Sequence, residues 1–108
     1  MKKIFIAAFM FVSTFTSNVF ADGHSIKMGI ILGFTGPIES LTPAMAASAE
    51  LAFKEASDSG SLLGGKKIEV VRADSTCVDS AAATAAAEGV IAQGVAAIMG
   101  ADCSGVTG

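Results

Sequence analysis

Tryptophan and tyrosine are absent from this 108-residue sequence, and histidine occurs once. Charged residues make up only 16% of it, with 7 Lys+Arg against 10 Asp+Glu and a formal net charge of -3. Residues 1–21 carry Lys2, Lys3 and five of the seven phenylalanines, so everything after them holds only Phe34 and Phe53 and a net charge of -5. An acidic chain without a basic cluster or an aromatic platform is a poor match to nucleic acid, and no nucleic-acid partner is expected. The lone His24 leaves no Ser–His or Cys–His pair, so no catalytic residue is assigned and the chain is not expected to be an enzyme. Ile31 stands where a G-x-G-x-x-G series through Gly33 and Gly36 would need its first glycine, and no G-K-[ST] occurs. No cofactor is therefore expected. No run of about 18 apolar residues follows residue 21, so no later membrane span is expected either.

The first 21 residues have a character of their own. Lys2-Lys3 is a basic start, Ile4 to Val12 is an unbroken apolar run, and Ser13, Thr14, Thr16, Ser17 and Asn18 turn the chain polar before Val19-Phe20-Ala21. That layout predicts a cleaved secretory signal peptide over 1–21 and an exported product beginning at Asp22. Asp22-Gly23-His24 would then offer an amine, two amide nitrogens and an imidazole to Cu(II) or Ni(II), although a solvated histidine explains the same residues. No metal ligands are assigned.

After the leader, the apolar pattern alternates between two periods. Ile26 to Gly33 predicts a buried strand, with Met28, Ile30, Ile31 and Leu32 nearly continuous. Phe34 to Leu41 predicts a loop punctuated by Gly36-Pro37. Thr42 as N-cap and Pro43 at the first helical position predict a helix to about Asp58. Its expected buried stripe is Met45, Ala49, Ala52, Phe53 and Ala56, with Glu50 and Lys54 paired on the wet side. A strand over Lys67 to Ala73 follows, then a loop over Asp74 to Val78. Asp79 is expected to cap an alanine-rich helix to about Ala92, and a third strand is expected over Val95 to Met99. Strand, helix, strand, helix, strand implies an α/β fold: a βαβαβ start of a parallel, Rossmann-like sheet in the order 2-1-3. Three strands with no further helix leave apolar surface uncovered, so residues 22–108 are expected to be the front of a larger unit.

Ligands of open parallel sheets bind beyond the carboxyl ends of the strands. Three loops leave those ends, at 34–41, 74–78 and 101–107. The first and third are rich in Gly, Ser and Thr, which suits a carboxylate or another small polar group. Glu39, Asp74 and Asp102 could gather there, or could cap loops and face water. Cys77 and Cys103 are the two cysteines of an exported chain, which favours a disulfide. Two ligands are too few for a closed zinc site, and the spacing is not C-x-x-C. For the bridge to form, the two loops must lean across the end of the first strand until their Cα atoms lie within about 7 Å.

Several pieces, taken in order, resemble the branched-chain amino-acid-binding proteins of ABC transporters, receptors of the type I periplasmic-binding fold. They are Ile26-Lys27-Met28-Gly29-Ile30-Ile31, Phe34-Thr35-Gly36-Pro37, Glu50-Leu51-Ala52-Phe53-Lys54-Glu55-Ala56, and Gly64-Gly65-Lys66-Lys67-Ile68-Glu69-Val70-Val71 with Asp74. Cys77-Val78-Asp79 and Gly100-Ala101-Asp102-Cys103-Ser104 resemble the two halves of that family's disulfide. The resemblance implies the N-terminal part of the first of two lobes, which close on a ligand by hinge motion. It also implies a monomeric, periplasmic receptor that hands a small amino acid or related amide to a membrane permease. Ser104 would contact the ligand's α-carboxylate, and Ile38, Glu39, Ser40 and Leu41 would line the side-chain pocket. A ligand-sensing domain of the same fold, a small exported enzyme with a flavodoxin-like sheet and a truncated remnant are the alternatives. Ser80 stands where many members have Pro, and Ala47-Ser48 where they have Gly.

Overall fold

A computed structural model describes Gly23 and residues 25–107. The expected leader over 1–21, and Asp22 and His24 of the Asp22-Gly23-His24 start, lie outside the described residues.

The elements are β1 (Ser25–Leu32), α1 (Thr42–Asp58), β2 (Lys67–Asp74), α2 (Ser80–Ala92) and β3 (Ala97–Met99), with 3-10 turns at Leu62–Gly64 and Ser104–Val106. The sheet order is β2-β1-β3 and both pairings are parallel, as the alternation predicts. β1 and β2 are in register over their full length, from Ser25 beside Lys67 to Leu32 beside Asp74. β3 is shorter than expected. It pairs only from Ala97 to Met99, against Met28 to Ile30, while Val95 and Ala96 still belong to the approach, with the Ala96 N–H donating to the Lys27 carbonyl at 2.8 Å.

Alternation along β1 sends its side chains to two helices on opposite faces. Ile30 and Leu32 are fully buried with Ala46 of α1, and Phe34, Ala49, Phe53, Val70 and Met99 pack around them. Gly29 faces α2 from the other side. A Cβ at Gly29 would come within 2.6 Å of Val90 Cγ1 and 3.1 Å of Ile98 Cγ1, so the absent side chain lets α2 sit close to the sheet.

Helix α1 ends at Asp58 as expected, but two details of its start and face differ. The N-cap is Leu41, which makes no side-chain cap; Thr42 is already helical and completely buried. Its hydroxyl donates to the Gly33 carbonyl at 3.1 Å, so the oxygen that local sequence offered to the helix start is used to tie α1 to the end of β1. With Thr42 pointing inward, the buried face runs through Ala46, Ala49, Phe53, Ala56 and Ser57, while Met45 and Ala52 turn outward. Ser57 joins this face because its Oγ accepts from the Ile68 N–H at 2.9 Å, stitching the end of α1 to the start of β2.

The expected Glu50–Lys54 pair is also replaced. Lys54 pairs with Asp58, and Glu50 accepts from Arg72 of β2 through Nε at 2.6 Å and Nη2 at 2.7 Å. Arg72 lies on the α1 side of β2, beside Ile30 in register, where it meets Glu50 with two donors and lies 5.6 Å from the centre of the Phe34 ring. A bidentate partner in that geometry outcompetes a helical neighbour with a single ammonium.

Helix α2 begins as the sequence predicts. Asp79 is extended, and its carboxylate accepts from the Ala81 N–H at 2.9 Å and the Ala82 N–H at 3.1 Å. Asp79→Ala leaves both donors to water and is expected to lower stability by about 1 kcal/mol, with Asp79→Ser recovering most of the loss. Urea denaturation of the three proteins checks this; equal midpoints would remove the cap from the account of how α2 starts.

Candidate functional site

Three strands that end side by side leave backbone groups needing partners, and at this edge two carboxylates supply them. Asp102, just past β3, accepts from the Gly33 N–H with both oxygens, at 3.1 and 3.0 Å. The hydroxyl of the fully buried Ser75 lies 3.4 Å from the same carboxylate. Asp74, the last residue of β2, accepts from the Thr35 hydroxyl at 2.6 Å, the Thr35 N–H at 3.3 Å and the Thr76 N–H at 2.8 Å. Of the three candidate carboxylates, Asp74 and Asp102 cap the strand-end loops, and Glu39 is exposed. Ser75 was not a sequence candidate. Only the register, which places it one residue beyond Leu32 with its N–H on the Leu32 carbonyl at 2.9 Å, brings it under Asp102.

The environment of Asp74 sets its charge state. Burial pushes its carboxyl upward, but the hydrogen bonds from Thr35, Thr76 and the Phe34 N–H outweigh that, and its pKa falls below the ordinary 3.8. On the neighbouring face, the hydrogen bonds from Arg72 hold the Glu50 carboxyl below its usual range.

Cys77 and Cys103 form the expected disulfide, with Cα atoms 5.3 Å apart. Since β2 and β3 flank β1, the bridge crosses the end of β1, which is the lean across that strand the separation requires. It brings the site candidates toward one place. A Cβ at Gly33 would lie 3.1 Å from Cys77 Cβ and 3.3 Å from Ile38 Cγ1, so Ile38 and Cys77 both pack close to the residue that ends β1. Ile38 is half-buried there, whereas Glu39, Ser40 and Leu41 are exposed. Ser104 directly follows the bridged Cys103, is exposed, and opens the 3-10 turn. The structure thus places all five residues on loops at the carboxyl edge, with Ile38 close to Gly33 and Ser104 continuing from the bridge.

The order β2-β1-β3 makes β1 the point where the connections change direction, which is where open parallel sheets place their ligands, between the loops after β1 and β3. These loops carry hydroxyls, and their Asp74 and Asp102 carboxylates are already occupied by N–H and O–H donors. This suits recognition of a small polar group by hydrogen bonds. One cavity of about 500 Å³ sits at the opposite, amino end of the sheet beside Ser25, Lys27, Glu69 and Gln93. Another, about 270 Å³, adjoins the loop after β3: it lies between α2 and the end of β3 and is lined by Ile31, Ala83, Ile98, Ala101, Val106 and Thr107.

The family profile described as periplasmic binding protein matches residues 25–108 of the chain. No curated protein gives a match.

The Asp74 cluster has a measurable pH signature. A carboxyl with a lowered folded pKa stabilises the fold fully above its unfolded value near 3.8, and the contribution fades as pH falls from there through the folded pKa. Thr35→Val removes the hydroxyl donor. It is expected to lower stability at pH 5 and to shrink the stability difference between pH 5 and pH 3. Urea titrations at the two pH values decide the point: an unchanged difference means that Thr35 does not set the Asp74 charge.

Proposed function

Because the chain belongs to the periplasmic binding protein family over residues 25–108, we propose that it is the solute-binding component of an ABC uptake system for a small amino acid of the branched-chain type. In this reading residues 1–21 are a cleaved export signal, and residues 22–108 form the N-terminal part of the first lobe of a monomeric periplasmic receptor. The receptor binds its ligand without changing it and passes it to a membrane permease.

The observation that supports the site is the gathering of the three strand exits over the end of β1, where Asp102 takes the Gly33 N–H and the bridge joins the loops after β2 and β3. Ser104 presents a hydroxyl at the mouth of the loop after β3, where it donates to the ligand's α-carboxylate. Ile38, with its side chain close to Gly33, supplies an apolar floor next to it. Leu41, which is 60% exposed, extends that apolar surface along the same loop toward the ligand's side chain. Glu39 and Ser40 lie between them at the rim. A neutral zwitterion suits this wall: a hydroxyl and backbone donors meet its carboxylate, and apolar side chains meet its aliphatic tail. The exported form and the disulfide agree, since a bridge between two loops persists in an oxidising compartment.

The test is a leucine titration of isotope-labelled chain followed by two-dimensional NMR, which registers weak binding on one face. Amide shifts are expected in residues 33–41 and 102–107, with β1–β2 amides near Ser25 and Lys67 unmoved. Ser104→Ala is expected to weaken the interaction by about 1–3 kcal/mol, roughly five- to 150-fold. Saturating leucine without shifts in those two loops would rule out the branched-chain ligand, and a Ser104→Ala protein with unchanged affinity would remove the carboxylate contact.

A further inference from the structure

The backbone beside the disulfide adopts a conformation that its residue types disfavour. Thr76 has φ 58° and Cys77 has φ 70°, two consecutive non-glycine residues in the left-handed region. For a β-branched threonine this is a costly backbone state, and it persists only where its surroundings impose it. The surroundings here are few. The Asp74 carboxylate accepts from the Thr76 N–H at 2.8 Å, the Thr76 hydroxyl accepts from the Asp79 N–H at 3.3 Å, Gly36 packs directly on the Thr76 carbonyl, and Cys77 lies against Gly33 and is covalently held by Cys103. On the other side of the bridge, Gly100 packs tightly on the Ile31 backbone and the 3-10 turn rests against α2, while the hydrogen bonds that tie this loop to the strand ends are those of Asp102 to Gly33 and Ser75. The core does not share this dependence: Ile30, Leu32 and Ala46 are closed by α1, and β1 and β2 pair along eight residues. Both cysteines are only half-buried, so a small thiol can reach the bridge.

We infer that the Cys77–Cys103 disulfide is a redox-set clasp on the carboxyl edge of the sheet: closed, it holds the loops after β2 and β3 in the geometry described above, and opened by a dithiol it releases them while the sheet stays folded. A reagent thiolate attacks one cysteine sulfur, forming a mixed disulfide and releasing the other cysteine as a thiolate that takes up a proton. The reagent's second thiol then displaces the first cysteine and closes the reagent's own disulfide. The protein gains two electrons and two protons, and the dithiol loses them. With the covalent hold gone, Thr76 and Cys77 relax to right-handed or extended backbone. Asp74 then loses the Thr76 N–H, and the turn carrying Ser104 moves with Cys103. The inference rests on the proposed function only for the consequence that ligand capture would respond to redox state, because the clasp itself is defined without a ligand.

Hydrogen exchange of the full chain, oxidised and after dithiothreitol, tests it with no ligand present. The Gly33 and Thr76 amides are expected to exchange about tenfold faster or more in the reduced chain, with Ile30 and Val70 unchanged. The doubly substituted Cys77→Ser, Cys103→Ser chain is expected to show the reduced pattern and to ignore dithiothreitol. Equal exchange at Gly33 and Thr76 in both states overturns the clasp. Loss of protection at Ile30 and Val70 as well overturns it too, since the bridge would then hold up the whole fold rather than one edge. Absence of leucine binding with the expected exchange pattern counts against the proposed function and leaves the clasp standing.

Discussion

Everything at the carboxyl edge of the sheet depends on how Asp102 grips the end of β1. Gly33 is the first residue beyond the central strand, and its N–H would otherwise point into a crowded corner with no ladder partner. Both Asp102 oxygens take it, and the Ser75 hydroxyl approaches the same carboxylate. A single side chain therefore joins the exits of all three strands. Hydrogen bonds to a charged acceptor are the stronger kind, about 1.5–3 kcal/mol each, and here the acceptor also satisfies a donor that burial would penalise. The disulfide begins at the next residue, so Asp102 positions Cys103, and through it the turn that starts at Ser104.

Close packing on the α2 side follows the same economy of atoms. Gly29 offers no side chain, Val90 fills the space, and Ala83 completes a small-residue face that sits near the sheet. On the α1 side larger side chains pack, with Phe34, Phe53 and Met99 around Ile30 and Leu32. The two faces of β1 thus differ in side-chain size, with Gly29 under Val90 on one and Ile30 and Leu32 on the other. On the second face α1 is tied to the end of β1 through the Thr42 hydroxyl on the Gly33 carbonyl.

Period and punctuation made the element order, the strand order, the cap at Asp79 and the cysteine pairing legible in the residues alone, because each depends on local chemistry or on a rule of chain topology. What was not legible depends on contacts between residues distant in the chain. Thr42 looks like an N-cap until β1 supplies a carbonyl for its hydroxyl. Glu50 looks like a partner of Lys54 until β2 delivers Arg72, twenty-two residues away, with a two-pronged donor. The buried stripe of α1 is off by part of a turn for the same reason: apolar periodicity sees alanine on several faces, and only Thr42 and Ser57, both polar, reveal which face is inside. The candidate loops were legible as loops at the right edge of the sheet. That Ile38 packs close to Gly33 while Glu39 and Ser40 face outward required the fold.

The charges around the edge constrain what it can recognise. Glu50 is matched by Arg72, Asp74 by Thr35 and Thr76, and Asp102 by Gly33 and Ser75. The described cation nearest this edge, Arg72, is already engaged by a carboxylate and an aromatic ring. Under the proposed function, a ligand carboxylate arriving here would meet neutral donors, hydroxyl and backbone N–H, instead of a free guanidinium or ammonium. Each such bond contributes little net free energy, because water makes the same bond beforehand. Recognition built this way is selective through geometry and weak through energy on any single wall. The affinity of a receptor using it must then come from enclosing the ligand and excluding water on its other faces, which strengthens the same hydrogen bonds by lowering the local dielectric. A wall of neutral donors is thereby suited to a ligand that has to be held and then let go.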